Sequence, residues 1–191
     1  DTYVYRTPHY QMAGAQDYKP ATWGAQDFIW QATLDREAFV LTTFPAGFGA
    51  ADGLSVTTND PWIGGWHPRA TFHKNVGVIQ YRPGLDILIK GDLTHAYFRR
   101  AGFDEVVESG HWVCGRKGDG FVALWSQVET TWSADNDYEL IADAPENVWV
   151  VELGSVEEHA DFDSFVAAVT GAEISVVDGD AAGEGTGGQR V

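Results

Sequence analysis

The chain has 191 residues, of which 28 are acidic and 12 are basic, and its formal net charge is −16. A negative field of this size repels phosphate backbones and anionic lipid headgroups, so nucleic acid is not an expected partner. No apolar run is long enough to span a bilayer, so no membrane insertion is expected either.

The first 27 residues are rich in hydrogen-bonding side chains and are expected to precede the first clear strand. Tyr10 and Gln16 are the candidates in this stretch for contacts with sugar hydroxyls. The alternative is that these polar groups only satisfy the backbone of a loop.

Short apolar or alternating runs bounded by Gly, Pro, Asn and Asp predict strands along the rest of the chain. These runs are residues 28–34, 38–44, 76–81, 86–90, 104–109, 112–116, 120–127, 138–143, 148–153 and 173–178. Short strands at this spacing are typical of a sandwich or barrel, so the predicted fold is all-β, an antiparallel, supersandwich-like β-sandwich.

Two turns and one short C-terminal helix complete the predicted fold. The sequence Lys-Gly-Asp-Gly at 117–120 predicts a hairpin turn, and residues 133–136 predict a polar loop. Residues 161–170 predict a helix that Asp161 or Asp163 can cap, because apolar residues recur there on one face.

The predicted domain organisation is one β-sandwich domain over residues 1–178 and a Gly- and Asp-rich tail or linker over residues 179–191. The chain does not begin with Met, and its tail stops as though entering another strand. We therefore expect a fragment of a longer polypeptide.

Aromatic and titratable side chains are densest between residues 59 and 74, inside a Gly-rich segment. Trp62 and Trp66 are candidates for stacking on pyranose rings, and Asn59 is a candidate for hydrogen bonds to the same sugar. The alternative is that both indoles close one end of the sandwich as part of its core.

A second cluster covers residues 94–100. If this stretch is extended, His95, Tyr97 and Arg99 lie on one side, because alternate side chains of a strand share a face. We predict that His95 and Arg99 bind substrate. The alternative is an edge strand with a solvated polar face.

No metal and no cofactor are expected; the alternative is a metal site that uses His67 or His73. The six histidines lack the close helical pairing of zinc peptidases, and the single cysteine, Cys114, is expected to be a small buried hydrophobe in a strand. Phosphate-binding loops, dinucleotide fingerprints and the nucleophile elbow of α/β-hydrolases do not occur.

Six segments carry a family resemblance: residues 5–12, 15–18, 29–34, 66–69, 74–76 and 115–120. Together they resemble the β-sandwich portion of large (α/α)-toroid plus β-sandwich proteins related to heparinase II-like polysaccharide lyases. The resemblance implies that an α/α-toroid domain, covalently linked or tightly associated, forms the facing wall of a cleft for a polysaccharide or oligosaccharide.

The same resemblance implies a catalytic set. In such lyases a uronate carboxylate is neutralised and a proton is moved from C5 to the leaving oxygen, which is general acid–base chemistry. Here Arg69 or Asn59 would neutralise the carboxylate, and His67, His73 or Tyr97 would exchange protons.

A uronate substrate also needs a local basic pocket, to overcome the net charge of the chain. The residues available for it are Arg69, Lys74, Arg99 and Arg100. A neutral glycan and hydrolysis of its bonds stay open as alternatives.

The leading hypothesis is therefore the β-sandwich domain of an extracellular or cell-surface carbohydrate-active enzyme that resembles polysaccharide lyases. A non-catalytic carbohydrate-binding module and an extracellular structural or assembly domain are the alternatives.

Overall fold

The computed structural model describes residues 1–24, 27–45, 47–48, 62–83 and 89–177. The described elements in chain order are β1 (Thr2–Arg6), β2 (Gln11–Ala15), β3 (Trp23–Gly24), β4 (Trp30–Thr33), β5 (Phe39–Thr43), β6 (Gly47–Phe48), β7 (Gly65–Trp66), β8 (Arg69–His73), β9 (Val76–Tyr81), β10 (Ile89–Lys90), β11 (Thr94–Phe98), a 3-10 turn (Arg100–Gly102), β12 (Glu105–Ser109), β13 (Trp112–Lys117), β14 (Gly120–Ser126), β15 (Thr130–Trp132), β16 (Glu139–Ala142), β17 (Asn147–Ser155) and α1 (Phe162–Thr170).

Two large antiparallel sheets form the body of the protein and confirm the predicted β-sandwich. The seven-stranded sheet has the order β1-β2-β4-β5-β11-β16-β15, and the six-stranded sheet has the order β12-β13-β14-β17-β9-β8. Two short ribbons, β3-β7 and β6-β10, accompany them. The main core combines side chains of both sheets, with Met12, Phe98, Leu124 and Trp149 among its fully buried members.

The alternation of side chains on β11 decides which residues face the core. Ala96 and Phe98 are buried in the main core, so His95 and Tyr97 point to the outer face of the seven-stranded sheet. The alternative of an edge strand is wrong, because β11 pairs with β5 on one side and with β16 on the other.

The predicted helix is confirmed as α1, and Asp161 is its N-cap: its carboxylate accepts a hydrogen bond from the backbone N–H of Ser164 at 2.8 Å. The helix buries Phe162, Phe165 and Val169 against the outer face of the six-stranded sheet. The second, smaller core formed there also contains Cys114, and burial raises the pKa of its thiol to about 12.

The predicted hairpin at 117–120 is confirmed, since β13 and β14 pair directly and Gly118 takes a positive φ of 55°. The polar loop at 133–136 is confirmed as well. Most predicted strands exist with ends shifted by one or two residues. Of the predicted strand 86–90 only Ile89–Lys90 is described as β10.

Two expectations about the ends of the described chain are wrong. The first strand does not begin at residue 28, because β1 and β2 form a hairpin earlier in the chain. Tyr3, Tyr5 and Met12 of this hairpin turn toward the main core. Residues 173–177 form no strand: Ile174 packs on the second core, over the face of the sheet rather than along a strand edge. The predicted tail at 179–191 lies outside the described residues.

In the part of the chain that the structure describes, no helix is long and apolar enough to cross a bilayer.

Candidate functional site

The strand register at the centre of the seven-stranded sheet gathers side chains on its outer face. His95 lies opposite Thr43 of β5, and Tyr97 lies opposite Glu139 of β16. Directly opposed residues project to the same face of a sheet, so these four side chains form one group.

Four aromatic rings on this face form what we call the aromatic platform: Phe39, Trp62, Tyr97 and Tyr138. Trp62 meets Tyr97 edge-on, with centroids 5.3 Å apart, and Tyr138 stacks on Tyr97 at 5.4 Å. Phe39 stacks on the same tyrosine at 4.8 Å. All four side chains are partly exposed, so the rings form a continuous apolar surface that solvent reaches.

A buried polar network supports the platform from below. The indole of Trp62 stacks on the imidazole of His95, and His95 is only 1% exposed. His95 Nδ1 donates to Glu139 Oε1 at 2.8 Å, since a carboxylate only accepts, and His95 Nε2 lies 2.6 Å from Thr43 Oγ1. The hydrogen bond from His95 and a second one from Asn136 lower the pKa of Glu139.

The order hydroxyl, imidazole, carboxylate is that of a hydrolase triad, but burial argues against nucleophilic chemistry here. Thr43 is 9% exposed, and the indole of Trp62 covers the imidazole of His95. The described residues around Thr43 Oγ1 therefore close it to a substrate carbonyl. The network instead fixes the imidazole on which Trp62 rests.

The rim of the platform carries hydrogen-bonding groups whose charges are already balanced. Arg99, immediately after β11, is ion-paired with Glu37. Partial burial raises the pKa of Tyr97, with Arg99 opposing the effect. The phenol of Tyr97 therefore carries its proton at neutral pH and can donate a hydrogen bond, but it is a poor base.

The predicted basic pocket does not form as one cluster. Arg69 lies on β8, at the edge of the six-stranded sheet, and pairs with Asp17 at 3.7 Å. Lys74 follows that strand, whereas Arg99 and Arg100 follow β11 in the other sheet. Arg100 lies over the ring of Trp132, at 4.5 Å from its centroid.

His67 belongs to a different, buried group at the loop that joins β7 to β8. Its Nε2 lies 3.1 Å from Asp27 Oδ2, in an electrostatic contact whose alignment is not that of a hydrogen bond. The hydroxyl of Thr22 donates to the Lys19 carbonyl, so His67 Nδ1 is the donor in its 3.3 Å contact with Thr22 Oγ1. Because His67 is only 3% exposed, its position suits holding this loop in place.

Trp66 is only 5% exposed and belongs to the main core, whereas Trp62 lies on the outer face. The alternative that both indoles belong to the core is therefore correct for Trp66 and wrong for Trp62. The space that Trp62, Trp66 and His67 line together measures only about 10 Å³. That volume admits at most one water, so the ring of Trp66 is not available to a sugar.

The other predicted site residues lie apart from the platform. Tyr10 is 3% exposed, and its hydroxyl donates to Glu158 Oε1 at 2.9 Å. Gln16 follows β2, where its backbone exchanges hydrogen bonds with Asp1. His73 is exposed at the end of the edge strand β8. Asn59 lies outside the described residues.

Of the predicted site, the structure therefore brings together Trp62, His95 and Tyr97, with Arg99 at the rim. Sequence reasoning missed Phe39, Thr43, Tyr138 and Glu139. A usable signal existed for two of them, because Tyr138 and Glu139 begin a predicted strand with polar and aromatic residues rather than aliphatic ones.

Among the described residues, no group of three or more His, Cys, Asp or Glu side chains is arranged to hold a metal ion. Comparisons of the chain with protein-family models, with curated proteins and with solved structures find no match. The resemblance to the sandwich portion of heparinase II-like proteins stays a prediction.

Proposed function

We propose that this β-sandwich is a carbohydrate-binding domain whose aromatic platform stacks against the pyranose rings of a glycan. The observation that carries the proposal is the arrangement of Trp62, Tyr97 and Tyr138 as partly exposed, mutually packed rings on an outer sheet face. Indole and phenol rings suit a sugar, since each offers an apolar face beside a polar edge.

The support beneath Trp62 favours binding over mere surface exposure. A ring that is already fixed on His95 loses little conformational freedom when a ligand arrives. The platform is therefore preorganised, and the paired Arg99 and Glu37 at its rim offer both donors and acceptors to sugar hydroxyls.

A glycan cleft shared with a facing helical domain is the second candidate. The outer face continues from the platform to the edge strand β1, where Val4 is 60% exposed. Phe28, which precedes β4, is 51% exposed. Both residues line a groove of about 360 Å³, which supports a facing wall at that margin. In a lyase of that architecture Tyr97 is suited to protonating the leaving oxygen, and the base would come from the facing wall.

The binding proposal is tested by isothermal titration with neutral and acidic oligosaccharides. Trp62→Ala is expected to weaken binding about tenfold or more, because it removes the largest ring of the platform. Tyr18→Ala is the matched control, since Tyr18 is an exposed aromatic that packs beside His67 rather than on the platform. Equal affinities of the Trp62→Ala variant and the parent chain for every sugar that binds would refute the platform as the site.

The lyase hypothesis has a separate readout. Unsaturated uronate products absorb in the ultraviolet, so a rise in absorbance with polyuronate that Tyr97→Phe abolishes would support it. Binding without any such rise, in both this chain and a longer polypeptide that contains it, would leave carbohydrate binding as the function.

A further inference from the structure

We propose a second sugar-binding site on the opposite side of the sandwich, in the groove between the end of α1 and strands β13 and β14. The groove has a volume of about 560 Å³. Ser109, His111, Trp112, Trp125, Gln127 and Ile174 are among its lining residues. It shares no residue with the aromatic platform.

The groove exists because α1 is too short to cover its sheet. Phe121 and Ala123 of β14 lie under the helix in the second core, and Trp125 comes next on the same face of that strand. The helix ends at Thr170, so Trp125 stays partly exposed beside the buried Trp112, its cross-strand neighbour. The indole of Trp125 is an aromatic surface at the floor of an open groove.

Polar groups with unused hydrogen-bonding capacity surround this indole. His111 Nδ1 donates to the carbonyl of Ser126 at 2.8 Å, which leaves Nε2 for a hydrogen bond with a ligand. Within the described residues, neither the indole N–H of Trp125 nor the side-chain amide of Gln127 has an intramolecular partner. An aromatic floor with separate donors and acceptors around it suits a ring that carries several hydroxyls.

The charge of the groove narrows the class of ligand. Among the described residues, none that lines the groove is an Asp, Glu, Lys or Arg, although the chain as a whole carries a net charge of −16. A uronate would meet no cation from this part of the chain and would be repelled by the surrounding field. The groove therefore fits a neutral oligosaccharide.

The test is an NMR titration of the tryptophan indole N–H resonances with cellohexaose, xylohexaose and mannohexaose, and with hexagalacturonate as the charged control. The Trp125 resonance is assigned by its loss in Trp125→Phe. At least one neutral hexasaccharide is expected to shift this resonance saturably, and hexagalacturonate is expected to leave it in place. Gln127→Ala, which changes an exposed side chain, should weaken this binding about fivefold.

The Trp62→Ala variant separates the two sites. The groove proposal expects the Trp125 titration to be unchanged in that variant, whether or not the platform binds. A Trp125 resonance that no neutral probe shifts would overturn the groove as a sugar site. A shift of the Trp125 resonance that disappears in Trp62→Ala would also overturn the groove as a sugar site. The same conclusion would follow if Gln127→Ala and His111→Ala both bound the sugar as tightly as the parent chain.

Discussion

The indole of Trp62 and the imidazole of His95 lie parallel, with centroids 4.0 Å apart and planes inclined by 9°. Trp62 precedes the short ribbon strand β7, and His95 belongs to β11, an interior strand of the seven-stranded sheet. The contact turns an otherwise loop-borne ring into a fixed surface, because His95 is itself held by Glu139. The proposed stacking of a sugar on Trp62 therefore depends on the polar network beneath the ring.

The two neighbouring tryptophans should separate binding from stability. Trp66→Ala empties part of the main core and should cost about 3–5 kcal/mol of unfolding free energy. Trp62→Ala removes a partly exposed ring and should cost only about 1–2 kcal/mol, while it abolishes stacking on a sugar. Urea unfolding measured beside glycan titration checks both effects. Equal losses of stability would show that Trp62 is a core residue and not a binding surface.

Glu139 should make the protein sensitive to acid. Its pKa is held below the ordinary value of 4.5 chiefly by the hydrogen bond from His95. A carboxyl group with a lowered folded-state pKa stabilises the fold above the unfolded-state pKa, and that stabilisation is lost as the pH falls through the folded-state value. Glu139→Gln should therefore cost about 1 kcal/mol at neutral pH and progressively less as the pH is lowered below 4.5.

The measurement is urea unfolding of the parent chain and of Glu139→Gln from neutral to acidic pH. Sugar binding should weaken in this variant as well, because a less firmly held His95 supports Trp62 less well. A difference in stability that stays constant across the whole range would mean that the ionised carboxylate is not what holds His95.

Ionisation of Glu152 should lower the stability of the fold, which is the opposite of the effect expected for Glu139. Burial on the outer face of the six-stranded sheet raises the pKa of this carboxyl, with Glu158 adding to the effect and His159 opposing it. A raised carboxyl pKa means that ionisation costs stability above the folded-state value. Glu152→Gln should therefore stabilise the protein at neutral pH, by less than about 1 kcal/mol because solvent screens the half-buried group.

This gain should disappear in acid, where the parent carboxyl is protonated in both states. Thermal unfolding of the two chains at neutral and at acidic pH checks the expectation. Loss of stability in the glutamine variant at neutral pH would indicate that Glu152 has a favourable partner when ionised.

The parts of this site that sequence predicted are those that depend on local periodicity. His95 and Tyr97 share a face because side chains alternate along any strand. Thr43 and Glu139 lie 52 and 44 residues from His95 along the chain, and only the pairing of β5, β11 and β16 brings them together. Register of this kind is set by the whole sheet, so no window of sequence contains it.

The difference between local periodicity and strand pairing also explains the wrong predictions for Trp66 and for the first strands. Trp62 and Trp66 are four residues apart in one Gly-rich segment, and composition gave them one role. The backbone pairing of Trp66 with Trp23 buries one ring, while the stacking on His95 leaves the other partly exposed. The β1–β2 hairpin was missed because its outward positions carry Thr2, Arg6 and Gln11, which mask the inward alternation of Tyr3, Tyr5 and Met12.

Gly24 should be intolerant of any side chain, for a reason that concerns the His67 group. A Cβ at this position would lie 2.1 Å from both Asp27 Oδ2 and His67 Nε2, so an alanine must push the pair apart. Gly24→Ala should cost about 1–3 kcal/mol through this overlap. At Gly118, where φ is +55° and nothing lies within 4 Å of an added Cβ, alanine meets only backbone strain of about 1 kcal/mol.

A double-mutant cycle separates these two costs. Asp27→Ala removes the carboxylate that the new methyl group meets, so it should recover at least about 1 kcal/mol in the Gly24→Ala background and nothing in the Gly118→Ala background. Chemical unfolding of the parent and of five variants, the three single variants Gly24→Ala, Gly118→Ala and Asp27→Ala and the two double variants, gives the coupling. Recovery in both backgrounds would mean that Asp27 destabilises the fold by itself, and recovery in neither would mean that the tight packing of Gly24 against His67, rather than the carboxylate, holds this loop.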